Sequence, residues 1–275
     1  MTDEETCLTA SSLRTVWNPA RYLRFADHRL RPALELMARI PVERPDRIVD
    51  LGCGTGHITR LLAERWPEAE VTGIDSSAEM LAEAGAAPSE IRWKLADITE
   101  WEPEHSFDLV FANASLHWIE AHEVLFARLM GMVSSGGCLA VQMPLSWPLP
   151  SHRLMRETLA DGGSGGAPLG GSHLRRACGR KWVDDAPVYF DRLRPFAATI
   201  DIWESEYLQV LVGTDPVLEW VRGSGLRPVL RGLEEADRQR FLAVYADRLR
   251  KAYPRRGDGS TLYPFRRLFI VAAKR

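Results

Sequence analysis

Residues 48–56 read Ile-Val-Asp-Leu-Gly-Cys-Gly-Thr-Gly, and this stretch decides the fold. A short apolar run ends in an acid, Asp50, and is followed by glycines at alternate positions, Gly52, Gly54 and Gly56. The run reads as a buried strand, and glycines so placed let the chain turn sharply and approach a ligand closely. Residues 57–66 then carry apolar side chains at helical spacing. Strand, glycine loop and helix together form a nucleotide-binding corner of a parallel α/β sheet.

The spacing narrows the ligand. A dinucleotide site wants G-x-G-x-x-G, whereas here position 57 is His57. A P-loop is excluded because no Gly-Lys-Ser/Thr follows. The acid-x-G-x-G-x-G form resembles motif I of class I S-adenosylmethionine-dependent methyltransferases. The next sixty residues support that resemblance. Val71–Asp75 is a second short strand ending in an acid, and a carboxylate there can accept hydrogen bonds from both ribose hydroxyls. Ser76 and Ser77 read as the cap of a helix from Ala78 to Ala84, whose Met80 is placed to lie against adenine. Residues 91–98 read as a third strand and Phe107–Asn113 as a fourth, with Asn113 at its carboxyl end. A fifth follows Gly136-Gly137, over Cys138–Met143. The resemblance implies S-adenosyl-L-methionine as cofactor. It places Asp97 against the adenine amino group and adds Cys53 and Ile98 to Asp50, the three glycines, Asp75, Ser76, Met80 and Asn113 as cofactor-binding positions.

Composition limits the partners. The chain has 275 residues and a formal net charge of −2, with no excess of base that would suit a nucleic-acid polyanion. No apolar run reaches the ~18 residues of a membrane span, and the first twelve residues carry acids where a signal peptide has bases. Cys7, Cys53, Cys138 and Cys178 are scattered, which reads as free thiols in a reducing cytoplasm. No histidine or cysteine spacing suggests a metal. Charge is unevenly spread: residues 60–108 hold twelve acids and four bases, residues 222–256 ten bases and four acids. Arg175, Arg176, Arg180 and Lys181 add a further basic cluster. The basic segments lie outside the nucleotide-binding part, where a cap that selects a small anion would sit.

The C-terminal half reads as that cap and the rest of the sheet. Helices are expected near 152–161, 186–193, 216–230 and 234–253, a mobile glycine-rich loop over 162–171, a long strand over 197–212 and a last strand over 267–272. The expectation is a doubly wound sheet of seven strands in one methyltransferase domain, residues 17–275, after an extension of residues 1–16. Its core covers about 40–144, 195–212 and 262–275, and its cap about 17–39, 145–194 and 213–261.

Over nearly the whole chain the sequence resembles the trans-aconitate 2-methyltransferase family. The carrying segments are Trp17-Asn18-Pro19, Tyr22-Leu23-x-Phe25, Arg29-x-Arg31-Pro32-Ala33, the glycine loop and Gly73-Ile74-Asp75-Ser76-Ser77. Phe111–Trp118, Val141–Pro144, Asp201–Trp203, Gly225–Pro228 and Phe265–Ala272 continue the match. The resemblance implies esterification of one carboxylate of trans-aconitate or a related small polycarboxylate. The chain departs in residues 1–16, in the glycine-rich loop and in His117, where a glutamine is frequent. The same cofactor site also serves methyltransferases of other small molecules, and a protein consuming the cofactor itself is a third reading. Arg29, Arg31 and Arg227 are expected to grip carboxylates, and Trp17, Tyr22 and Phe25, also counted as substrate-binding, to close over the methionine tail of the cofactor. Asn113, Ser115 and His117 are the positioning candidates at the point of transfer. The sequence leaves oligomeric state open.

Overall fold

The computed structural model describes residues 30–163, 166–223 and 225–275. Its seven-stranded sheet has the order β3-β2-β1-β4-β5-β7-β6. The strands are β1 (Arg47–Leu51), β2 (Glu70–Asp75), β3 (Arg92–Leu95), β4 (Phe107–Asn113), β5 (Val133–Pro144), β6 (Ala197–Val212) and β7 (Ser260–Lys274). The first five run parallel, and β7 is antiparallel to both β5 and β6. The order reverses between β1 and β4, so their carboxyl ends flank the crevice where open α/β sheets bind ligands.

The apolar runs of β1, β4 and β5 follow from burial on both faces. On one face α1 (Leu30–Ala38) and α2 (His57–Arg65) enclose Ile48, Phe111, Ala140 and Phe269. On the other, α4 (His122–Met132) and α7 (Ala186–Leu193) cover Val49, Val110, Leu139 and Ile270. The short α3 (Ala78–Ala84) flanks β2 and β3. A separate apolar cluster joins α5 (Pro150–Asp161), α8 (Pro216–Arg222), α9 (Arg227–Arg231) and α10 (Glu235–Ala252) around Phe241, Tyr245 and Tyr263. α6 (Ser172–Gly179) lies against α5.

Several elements differ from expectation for local reasons. β3 stops at Leu95 rather than residue 98, because it is an edge strand and the chain turns away through Asp97, whose carboxylate bonds Thr99. The helix expected over 216–230 is two helices, α8 and α9, separated by the stretch containing Gly223 and Gly225. The glycine-rich stretch is anchored at both ends: Gly162 N donates to Thr158 O, Leu169 is buried, and Gly170 N donates to Asp237 Oδ2 at 3.0 Å. α6, for which the sequence raised no expectation, buries no residue fully and sets Leu174 and Cys178 against the apolar cluster of the surrounding helices.

One carboxylate ties α1 to the sheet edge. Glu35 accepts from Trp203 Nε1 at 3.0 Å, from Ser205 Oγ at 2.5 Å and from the Tyr207 hydroxyl. Burial pushes its carboxyl up, but these three donors and the charge of Arg31 outweigh it and hold the group below its ordinary value. A carboxyl lowered on folding adds stability above its unfolded pKa and loses it as pH falls through the lower folded value. Glu35→Gln is therefore expected to cost about 1–2 kcal/mol at neutral pH after solvent screening. The variant should also lose less Tm than wild type on acidification below 4.5, the ordinary glutamate value. Parallel Tm–pH curves for the two proteins would contradict this.

Candidate active site

All three loop glycines have left-handed backbones, with φ of 76° at Gly52, 55° at Gly54 and 73° at Gly56. Among the described residues, only one of them faces open space. A Cβ on Gly52 would fall 2.3 Å from that of Ser115, and one on Gly56 would fall 2.4 Å from the Trp93 ring. Among the described residues nothing lies within 4 Å of the corresponding point at Gly54. Close approach to protein thus accounts for Gly52 and Gly56, and Gly54 is the loop glycine left open among the described residues. Gly52 N and Cys53 N both donate to Ile74 O, at 2.8 and 2.9 Å, which locks the loop onto β2. Cys53 is buried, and that burial holds its thiol protonated.

The acids divide into two roles. Asp50 is 2% exposed and accepts from Thr59 Oγ1 at 2.7 Å, so its carboxylate ties β1 to α2 beneath the loop. Burial pushes its carboxyl up to about 7, with Thr59 opposing and the charge of Asp75 adding to the rise. Asp75 is half-buried at the end of β2; its Oδ2 accepts from Gly54 N and its Oδ1 from Ser77 N, each at 2.9 Å. Ser77, not Ser76, caps α3, accepting from Met80 N at 3.2 Å, while Ser76 and Met80 stay exposed. Asp97 is exposed, with Oδ1 taking both bonds from Thr99. Ile98 is buried, and its carbonyl accepts from Arg128 Nη1 at 2.7 Å. An open cradle at Gly54, two reachable carboxylates on neighbouring strand ends and an exposed methionine fit an adenosyl amino acid.

Beyond β4 the chain makes a tight arm. Ala114 and Ala121 both adopt φ 54°, and between them a 3-10 turn, Leu116–Trp118, presents His117. Single non-glycine residues held left-handed cost about 1–2 kcal/mol each, so the arm needs external support. His122 supplies it: its Nε2 lies 3.0 Å from Leu116 O and its Nδ1 2.6 Å from the Tyr189 hydroxyl. Since a carbonyl only accepts, Nε2 carries the proton and Nδ1 receives one from Tyr189. Ser115 is occupied elsewhere, its hydroxyl donating to Leu51 O at 2.6 Å. It links the arm to the glycine loop.

Three buried polar atoms at these strand ends have no partner among the described residues: Asn113 Oδ1, His117 Nδ1 and Gln142 Nε2. Asn113 and Gln142 are register partners on β4 and β5, and Gln142 Oε1 accepts from buried Arg267 Nη1 at 3.0 Å. Enclosure of the His117 ring pushes its pKa down to about 3, helped by the charges of Arg267, His152 and His122. It is a neutral imidazole at physiological pH. From His117 and Trp118 a cavity of about 500 Å³ runs under α5 and α6, lined by Trp147, His152, Arg156, Tyr263 and others. That volume suits a small molecule.

The expected carboxylate-binding residues fare differently. Trp17, Tyr22, Phe25 and Arg29 lie outside the described residues. Arg31 is exposed and stands 5.0 Å over the Tyr207 ring, outside the cavity lining. Arg227 is also exposed and outside it, although its neighbours Gly225 and Pro228 line the wall. Sequence reasoning passed over Gln142, Trp147, His152 and Arg267. The available signal was a glutamine within a strand otherwise buried and apolar, Val141-Gln142-Met143.

Residues 48–137 match the family model described as a methyltransferase domain. The trans-aconitate 2-methyltransferase of Pseudomonas paraeruginosa is 48% identical over 262 residues, 95% of each chain. The enzyme of the same name from Azoarcus sp. is 43% identical over 94% of this chain and 99% of its own. The chain belongs to the trans-aconitate 2-methyltransferase family. Solved structures agree on the fold of this family member at much lower identity. The YcgJ protein of Bacillus subtilis superposes with a TM-score of 0.54 at 13% identity, covering 89% of this chain and 99% of that one. Haemonchus contortus phosphoethanolamine N-methyltransferase 2, solved with S-adenosyl-L-methionine, gives 0.52 at 16%, covering 95% and 59%. Family membership makes this chain an S-adenosylmethionine-dependent methyltransferase.

Proposed function

We propose that the protein esterifies one carboxylate of trans-aconitate, or of a closely related small polycarboxylate, and that Asp75, Asp97, Asn113 and the Gly54 cradle hold the methyl donor. The supporting observation is the cluster of partnerless polar atoms, Asn113 Oδ1, His117 Nδ1 and Gln142 Nε2, between the glycine loop and a cation-bearing cavity. When bound, S-adenosylmethionine supplies a sulfonium-activated methyl group, and transfer to an ionised carboxylate oxygen leaves an ester and a neutral thioether. The acceptor is already a nucleophile at neutral pH, so the chain needs no general base. Its work is alignment and exclusion of water. Gln142 Nε2 offers a neutral amide N–H at the strand end and His117 a neutral ring, whereas Asn113 Oδ1 can only accept and so suits the ammonium of the methyl donor. Neutral partners orient an acceptor oxygen without drawing off the charge that makes it reactive.

Purified protein given labelled cofactor and trans-aconitate should produce a monomethyl ester, with slower turnover of cis-aconitate and citrate. Absence of ester from every polycarboxylate, alongside turnover of some other metabolite, would sink the reading. The neutrality of His117 gives a second expected outcome. Because its folded pKa lies near 3, log kcat/KM should be flat between about pH 6 and pH 8, without an acid limb near the ordinary histidine value. His117→Gln should stay within about threefold of wild type, since a neutral hydrogen-bonding group is kept. An acid limb that disappears in this variant would show a titrating catalytic imidazole instead.

A further inference from the structure

The acceptor cavity holds several cations, and all but one of its arginine and lysine side chains are matched with an acid. Arg180 pairs with Glu120, Lys181 with Asp185 at 2.8 Å and Arg266 with Glu204. The exception is Arg156 on α5. Its sequence neighbour Glu157 is taken by Arg153 at 2.7 Å, on the exposed side of the helix. The Arg156 guanidinium lies 3.7 Å over the Trp147 ring, and Nη2 donates to Trp147 O at 3.1 Å. Among the described residues no carboxylate lies within ion-pair distance of it, and Glu157 acts on it only through its charge.

Stacking on an indole fixes the plane of a guanidinium and leaves its N–H edge directed outward, the arrangement that receives a carboxylate two bonds at a time. His152 lies one turn earlier on the same helix face and also lines the cavity. Its ring fits because position 225 is glycine: a Cβ there would fall 2.9 Å from His152 Nε2. The Gly-Leu-Arg-Pro segment therefore serves the cavity through Gly225 and Pro228 rather than through Arg227.

We propose that Arg156, held flat by Trp147 and flanked by His152, is the specificity anchor that grips a non-reacting carboxylate of the acceptor. The inference rests on the polycarboxylate reading above. It gives the non-reacting carboxylate to a lining cation with no ion-pair partner among the described residues, and leaves the reacting oxygen to the neutral groups at the strand ends.

The test compares wild type with Arg156→Met and Arg156→Lys, using Arg153→Met as an exposed control on the same helix. Substrates are trans-aconitate and the dicarboxylates in which one carboxylate is replaced by methyl. Arg156→Met should raise the KM for trans-aconitate by about 10- to 100-fold, the loss of a charged hydrogen-bonded pair. kcat and S-adenosylhomocysteine affinity should be unchanged, and lysine should restore part of the loss. One dicarboxylate, lacking the gripped group, should show the same KM with and without the arginine. An unchanged KM for trans-aconitate with normal wild-type turnover overturns the anchor alone, as does an equal rise for every acid. A wild-type protein that forms no ester from any of these acids overturns the acceptor reading and the anchor with it.

Discussion

Asp75→Ala is expected to weaken binding of S-adenosylhomocysteine by about 100-fold, read by calorimetry, with turnover falling in parallel. The size follows from what the carboxylate holds. Its two oxygens accept from Gly54 N and Ser77 N, both at 2.9 Å, so one side chain sets both the cradle and the start of α3. Hydrogen bonds to a charged group contribute roughly 1.5–3 kcal/mol each, and both would be lost together. The ligand's own hydroxyls would lose their acceptor as well. Asp75→Asn should fall between the two, since an amide keeps one accepting oxygen and turns the other into a donor. Affinity within about threefold of wild type for Asp75→Ala would mean that β2 does not carry the donor site.

The second large effect separates two glycines that look alike in sequence. Gly52→Ala should destabilise the fold by about 3–5 kcal/mol, combining left-handed strain with overpacking. The neighbour it meets is the Ser115 Cβ at 2.3 Å, close to the backbone and unable to swing aside. Gly54→Ala should cost only about 1–2 kcal/mol of stability, for its φ of 55°, because its Cβ meets none of the described residues. That Cβ would instead enter the cradle and reduce cofactor affinity. Chemical denaturation and ligand titration distinguish the pair. Ser115→Gly should recover part of the loss in Gly52→Ala, a positive coupling between two touching sites. Equal stabilities for the two alanine variants would refute the assignment of Gly52 to packing.

The donor side was legible because it is local. Loop, acid and strand end all fall in the one βαβ unit from Asp50 to Asp75, and the motif carries its own spacing. β6 was legible because sixteen residues without a strong breaker suit one long strand, Ala197–Val212. The acceptor side was not, because it is assembled across the chain. Trp147 and Arg156 come from the segment after β5, Gly225 from between α8 and α9, and Tyr263 from β7. No periodicity in any one of these segments reports the others. Arg227 drew attention through its proline, yet the wall is made by the residues on either side of it. The split of one expected helix into α8 and α9 is what puts Gly225 and Pro228 there.

β7 bears on how such a protein changes over generations. Leu268, Ile270 and Ala272 belong to the apolar cluster of the main sheet, whereas Tyr263 and Phe265 belong to the cluster of the surrounding helices. Tyr263, Phe265 and Arg266 also form part of the cavity wall. The segments inserted before β6 and between β6 and β7 are free to drift toward new acceptors without touching the glycine loop. Tyr263, Phe265 and Arg266 are not, because a substitution at any of them is felt at once by the wall, and at the two aromatic positions by the helical cluster as well. New acceptor preferences in this lineage should therefore arise by exchange within α5, α6 and the α8–α9 corner, while the strand beneath them stays fixed as a common inheritance.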